Sequence, residues 1–147
     1  MEHFRFPLFI DLQGKKTVIV GGGKVALRRA QVLMQFGAEI TLIAPQCSQV
    51  PDGATFLQRP YTPGDLEGAA LAVAATDYRE VNHQVFEEAQ KAGIFISVCD
   101  SPEESSFFFP AVCQGGGLIA GVVSGGHEHH KTAEAAKKIR SVLEELP

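Results

Sequence analysis

Hydrophobic and polar positions fall into alternating blocks over the first hundred residues. Thr17 to Val20 is a short, continuously apolar run, the pattern of a strand covered on both faces. Val25, Val32, Leu33 and Phe36 then recur at helical spacing, and Gly37 supplies the stop. Glu39 to Ala44 (EITLIA) predicts a second strand ended by Pro45, and Ala54 to Gln58 a weaker third, followed by the turn-rich RPYTPGDLEG. Leu71 to Ala75 is apolar again. Val81, Val85 and Ala89 form the next helical stripe, stopped at Gly93, and Ile94 to Val98 is the following strand. A strand–helix alternation with short connections predicts an α/β fold, a parallel sheet with helices on both faces.

After Asp100 the pattern changes. SPEESS reads as a loop, FFFPAVC as a strand, GGG as a turn and LIAGVVS as a second strand, so an antiparallel pair is expected. A final helix carries Ala136, Ile139, Val142, Leu143 and Leu146 on one face. The expected division is a nucleotide-binding domain over 1–100 and a hairpin plus helix over 101–147. An isolated hairpin is marginal in water, so the second segment is expected to pack on a partner subunit as a dimerisation segment.

Composition narrows the class. With 13 basic and 17 acidic residues the net charge is -4, without the basic surplus of a nucleic-acid protein. No apolar run approaches the roughly 20 residues that cross a bilayer, and the N-terminus lacks a signal-peptide pattern. A soluble, cytoplasmic protein is expected. Cys47, Cys99 and Cys113 show no C-x-x-C spacing, so neither a disulfide framework nor a four-cysteine zinc site is expected.

The strongest chemical signal is Gly21-Gly22-Gly23-Lys24-Val25-Ala26, a G-x-G-x-x-A between a strand and a helix. Gly21 permits the tight turn, Gly23 lets a pyrophosphate approach the backbone, and Ala26 keeps helix and sheet close. The helix N-terminus offers unpaired N–H groups and partial positive charge to the anion. Such a Rossmann-like site usually carries an acid at the end of the second strand for the ribose hydroxyls. Here that strand ends Ala44-Pro45-Gln46, where Gln46 is able to bond a ribose hydroxyl and no arginine stands ready for a 2′-phosphate, so NAD is expected over NADP.

Ligands in open α/β sheets bind beyond the carboxyl ends of the strands. Gln46, Thr76-Asp77 and Asp100 lie there. Asp100 reads either as a cap on the SPEESS turn or as a carboxylate that accepts a proton while a hydride leaves for the cofactor. Thr76-Asp77 reads equally as a helix cap.

Taken in order, FPLFIDLQGKKTVIVGGGKVALRRAQVLMQFGAEITLIAP, LAVAATDYREVN, ISVCDSPEESSFFFPAV and VSGG resemble the precorrin-2 dehydrogenase family, which includes the dehydrogenase/ferrochelatase module of siroheme synthase. The resemblance implies NAD-dependent oxidation of precorrin-2 to sirohydrochlorin and, in bifunctional members, insertion of ferrous iron. It implies that Gly21, Gly22, Gly23, Lys24 and Val25 form the cofactor's phosphate loop. Pro45 and Gln46 would flank the adenosine ribose, Thr76 would lie near the cofactor, and Asp100 would be the general base. It also implies an intertwined homodimer. This chain departs from the family pattern at Ser97, at Gln114 to Gly117, and after Gly126, where a Ser-Pro is replaced by His127-Glu128-His129-His130. Relatives usually continue into a further helical domain, expected to be absent here.

HEHH invites a metal reading, but it lacks the spacing that sets two histidines on one helical face, so no metal site is assigned. Arg28, Arg29, Lys137, Lys138 and Arg140 are candidates for facing a carboxylate-bearing substrate. Two other readings compete: an NAD-binding redox-sensing module without catalysis, and a metal-handling chelatase.

Overall fold

The structure, a computed structural model, describes residues 4–125 and 128–147. The chain divides into two compact units: Ile10–Phe107, and Phe108–Pro147 together with Met1–Phe9, of which residues 4–9 are described.

In the first unit five parallel strands, β1 (Lys16–Val20), β2 (Glu39–Ala44), β3 (Thr55–Gln58), β4 (Leu71–Ala74) and β5 (Phe95–Val98), lie in the order β3-β2-β1-β4-β5. Register is set by pairs such as Ile19 with Leu42 and with Val73, all three fully or almost fully buried. Helix α1 (Lys24–Met34) links β1 to β2, and α2 (Arg79–Ala92) links β4 to β5. Along β1, alternate residues face opposite sides of the sheet. Val18 and Val20 join Ile43, Ala72, Ala74, Ile96 and Val98 in a core with Val85 and Ala89 of α2.

Two helical stripes differ from the sequence expectation. The buried residues of α1 are Ala26, Ala30 and Leu33, while Val25 is 43% exposed at the helix start. Small side chains let this helix lie close on the sheet, and spacing of large apolar residues does not report such a face. On α2 the buried set is Asn82, Val85 and Ala89, with Asn82 beside the expected Val81. The link from β3 to β4 is a loop rather than a helix. It is shaped by Glu88 of α2, whose carboxylate accepts the N–H groups of Gly64 and Leu66, both at 2.9 Å, and the Tyr61 hydroxyl.

In the second unit β6 (Ala111–Gly115) and β7 (Leu118–Val122) form the antiparallel hairpin, and α3 (His129–Glu144) packs on it. The turn residues Gly116 and Gly117 take φ of +56° and +77°, the left-handed pair that a two-residue hairpin turn requires. Gly115 serves close approach: a Cβ there would lie 2.8 Å from the Cβ of Leu143. The core is small, built on Cys113, Ala136 and Leu143. Val142, expected on the packed face, is instead 59% exposed, as is 42% of Leu146. Phe107 to Pro110, expected to begin the strand, precede it. Among the described residues no helix is long and apolar enough to cross a membrane.

Candidate functional site

In the order β3-β2-β1-β4-β5 the chain turns back between β1 and β4, and the crevice above their carboxyl ends is where such sheets bind ligands. One wall is the glycine loop. Gly21 takes φ of +133° and donates its N–H to the Ile43 carbonyl at 2.9 Å, tying the loop to β2. A Cβ at Gly21 would meet the Ala75 oxygen at 2.3 Å, and one at Gly22 the Gln46 oxygen at 2.0 Å. The loop is thus wedged between the chain leaving β4 and the chain leaving β2, and Gln46 lies against it.

Gly23 is different: a Cβ there would meet nothing within 4 Å. It occupies the N-cap of α1 with no side-chain cap, and the first helical turn carries no acid. The leading N–H groups of a helix have no intrahelical acceptor. Open space, orphan donors and the positive end of the helix dipole coincide here, which fits a dinucleotide pyrophosphate. Lys24 and Val25 are exposed at the same helix start, as are Pro45 and Gln46 beyond β2.

The other wall follows β4. Thr76 is half-buried and firmly held: its N–H reaches Asn82 Oδ1 at 3.1 Å, its hydroxyl donates to the same oxygen at 2.7 Å, and Asn82 Nδ2 donates to its carbonyl at 3.1 Å. The Thr76 hydroxyl also accepts the Tyr78 N–H at 3.1 Å, tying the cleft end of β4 to the residue before α2, a helix whose start no side chain caps. Asn82 closes the LAVAATDYREVN run, but its place in the sequence assigns it no role. A polar residue inside an otherwise apolar stripe, one turn into a helix, is the signal that would have marked it.

Asp100 lies two residues beyond β5, its side chain 40% exposed. Its Oδ1 accepts from Arg79 Nη1 at 3.0 Å, and Arg79 is the first residue of α2. The other Arg79 nitrogen, Nη2, pairs with Glu104. Glu104 pairs in turn with His83 Nδ1, and His83 Nε2 meets Glu87 at 2.7 Å. Burial pushes the Glu104 carboxyl up, but His83 and Arg79 outweigh it and hold the group below its usual range. The hydrogen bond to Glu104 raises His83 above its ordinary value.

Cys99, next to Asp100, is exposed just past the end of β5; desolvation pushes its thiol up, against the opposing effect of the nearby Arg29 guanidinium. Of HEHH, His127 lies outside the described residues, while Glu128, His129 and His130 are exposed at the start of α3. Among the described residues no three His, Cys, Asp or Glu side chains converge to hold a metal.

This geometry agrees with the comparisons to known proteins. A family model described as "Putative NAD(P)-binding" matches residues 8–111. The chain belongs to that family. Its similar curated relatives include "Probable multifunctional siroheme biosynthesis protein HemA" of Ruminiclostridium josui, 41% identical over 94% of this chain and 28% of that protein. "Siroheme synthase 2" of Aeromonas hydrophila is 40% identical over 95% of this chain and 30% of that protein. The chain therefore spans under a third of the length of these relatives. Among solved structures, "SirC, precorrin-2 dehydrogenase" superposes with a TM-score of 0.77 at 23% identity, over 94% of this chain and 71% of that one. That likeness establishes the fold, a Rossmann-like sheet followed by a hairpin and helix. The relatives meet the resemblance seen in the residue runs from Phe6 to Gly126.

Proposed function

We propose that this chain oxidises precorrin-2 to sirohydrochlorin in siroheme biosynthesis, with NAD as the oxidant. The observation that carries the reading is the pairing of an open glycine-loop helix terminus with a carboxylate beyond β5 on the same edge of the sheet. Relatives named for siroheme synthesis supply the substrate class.

When bound, the nicotinamide supplies the hydride acceptor. Gly21, Gly22 and Gly23 bring backbone against the pyrophosphate, and the N–H groups of Lys24 and Val25 at the helix start bind it. Pro45 and Gln46 flank the adenosine ribose. Gln46 offers a neutral amide where NADP-binding sites place a cation, so the hydroxyl-bearing NAD is preferred over NADP. Thr76, fixed by Asn82, shapes the cleft beside β4. Asp100 takes the proton released as the hydride leaves, so that the substrate loses two hydrogens as H⁻ and H⁺. In this reading the same carboxylate would take pyrrole protons if ferrous iron is then inserted, iron being substrate.

The second unit acts as the dimerisation segment of a homodimer in this reading. Its three-residue core leaves Phe4, Phe6, Leu8 and Phe9 of the N-terminal stretch, Leu118 and Ile119 of the hairpin and Val142 of α3 exposed. So many exposed large apolar side chains on so small a core favour a protein contact in this reading. The cytoplasm is the compartment that supplies NAD to such a reaction.

The test is anaerobic incubation of the protein with precorrin-2 and either NAD or NADP, following reduced-nicotinamide absorbance and the sirohydrochlorin spectrum. Turnover with NAD and little with NADP is expected. Cofactor binding without turnover would leave the redox-sensing reading standing instead.

A further inference from the structure

We propose that Arg79 is the positioning residue for Asp100, and that Glu104 and His83 hold Arg79 in turn. This inference rests on the dehydrogenase reading above. Asp100 follows a strand end in a turn, and nothing in that backbone fixes the rotamer of an exposed aspartate. Arg79 does so from a different element. Its Nη1 binds Asp100 Oδ1 at 3.0 Å, while Asp100 Oδ2 has no hydrogen-bond partner among the described residues. One oxygen is anchored and the other is free to accept a proton, which is the arrangement a general base needs.

The anchor is itself braced. Arg79 spans two carboxylates with its two terminal nitrogens, and the planar guanidinium makes the two contacts interdependent. Glu104 is the least exposed member, its side chain 17% accessible, and its second oxygen is engaged by His83. His83 also meets Glu87 one turn further along α2. The charges alternate along the chain Asp100, Arg79, Glu104, His83, Glu87, joining the turn after β5, the short 3-10 turn Pro102–Glu104 and the first three turns of α2. Arg79 in the first turn of α2 stands at the positive end of the helix dipole, an adverse place for a cation unless carboxylates face it. An isolated exposed ion pair contributes little. A continuous chain pinned on three elements restricts Asp100 far more than any one pair.

The test compares wild type, Arg79→Gln, Arg79→Lys and Glu104→Gln in precorrin-2 turnover with NAD, in the NAD dissociation constant, and in the side-chain nitrogen NMR spectrum of Arg79. In Arg79→Gln, kcat falls about 10- to 100-fold, the scale expected when a reacting group is misplaced, with NAD affinity unchanged. Arg79→Lys recovers part of the loss, because an ammonium restores charge without the fork. Glu104→Gln lowers kcat less and releases guanidinium rotation that is slowed in wild type. Wild-type kcat in Arg79→Gln, or a freely rotating Arg79 guanidinium in the wild-type protein, overturns the proposal. A wild-type protein that binds NAD, holds Arg79 rigid and shows no turnover overturns the dehydrogenase reading instead, and the positioning role with it, while the ion-pair chain itself stands.

Discussion

The two walls of the cleft are made by opposite means. Along the β1–α1 turn the site exists because side chains are missing: Gly21 and Gly22 are pressed against neighbouring backbone, and Gly23 leaves the helix terminus open. Along β4, α2 and β5 it exists because side chains are present and tied together, Asn82 on Thr76 and Arg79 on Asp100. An anion is held well by backbone dipoles that need no adjustment. A proton acceptor needs one particular oxygen in one particular place, and that requires bracing. The contrast predicts that cofactor affinity and turnover respond to different substitutions.

Replacing Gly22 with Ala would break the first wall outright. The new Cβ would sit 2.0 Å from a backbone oxygen, which cannot swing aside. A loss of about 3 kcal/mol, the upper end of ordinary overpacking costs, is expected in denaturant unfolding, together with loss of NAD binding. Asn82→Ala strikes the second wall. Asn82 is fully buried and satisfies three polar atoms of Thr76. Leaving the Thr76 N–H and carbonyl unpaired costs roughly 1–3 kcal/mol, to be read as a lower urea midpoint.

Gly23→Ala separates function from folding within the first wall. Its Cβ meets nothing within 4 Å in the protein, so stability should fall only by the cost of alanine at an N-cap, about 1 kcal/mol or less, while NAD affinity measured by calorimetry falls about tenfold, roughly 1.4 kcal/mol, as the methyl enters the anion's space. Equal affinity in Gly23→Ala would show that the pyrophosphate lies elsewhere.

The smallest expected effect concerns pH. The Glu104 hydrogen bond raises His83 above its ordinary value in the folded protein. Its contribution to stability is then fully present below the unfolded-state value, about 6.5, and is lost as pH rises through the raised folded value. A proton NMR titration should find the His83 midpoint elevated in wild type and lower in Glu104→Gln. An unchanged midpoint in that variant would remove Glu104 from the brace.

Much of the first wall was legible in the sequence and little of the second. A glycine cluster between a β-branched run and a helical run announces its backbone geometry, because only glycine tolerates the φ of Gly21 and the contacts of Gly21 and Gly22. Asp100 could be placed at a strand end by counting from Ile94. Arg79 and Glu104, 25 residues apart in sequence, carried no local sign of meeting. The same limit explains Val25 and Val142, apolar residues at helical spacing that the structure leaves exposed. Periodicity identifies a helix and its average face. Which side of that face touches a neighbour depends on how closely the neighbour approaches, and Ala26, Ala30 and Gly115 set that distance here.

The division of labour between the walls is tested most directly by Asp100→Ala, assayed anaerobically with precorrin-2 and NAD beside a calorimetric titration of NAD alone. The expected result is a fall in turnover of about 10² to 10⁴, the range for loss of a general base, with the NAD dissociation constant unchanged. Turnover at the wild-type rate in Asp100→Ala would contradict the assignment of that carboxylate and, with it, the account of the second wall.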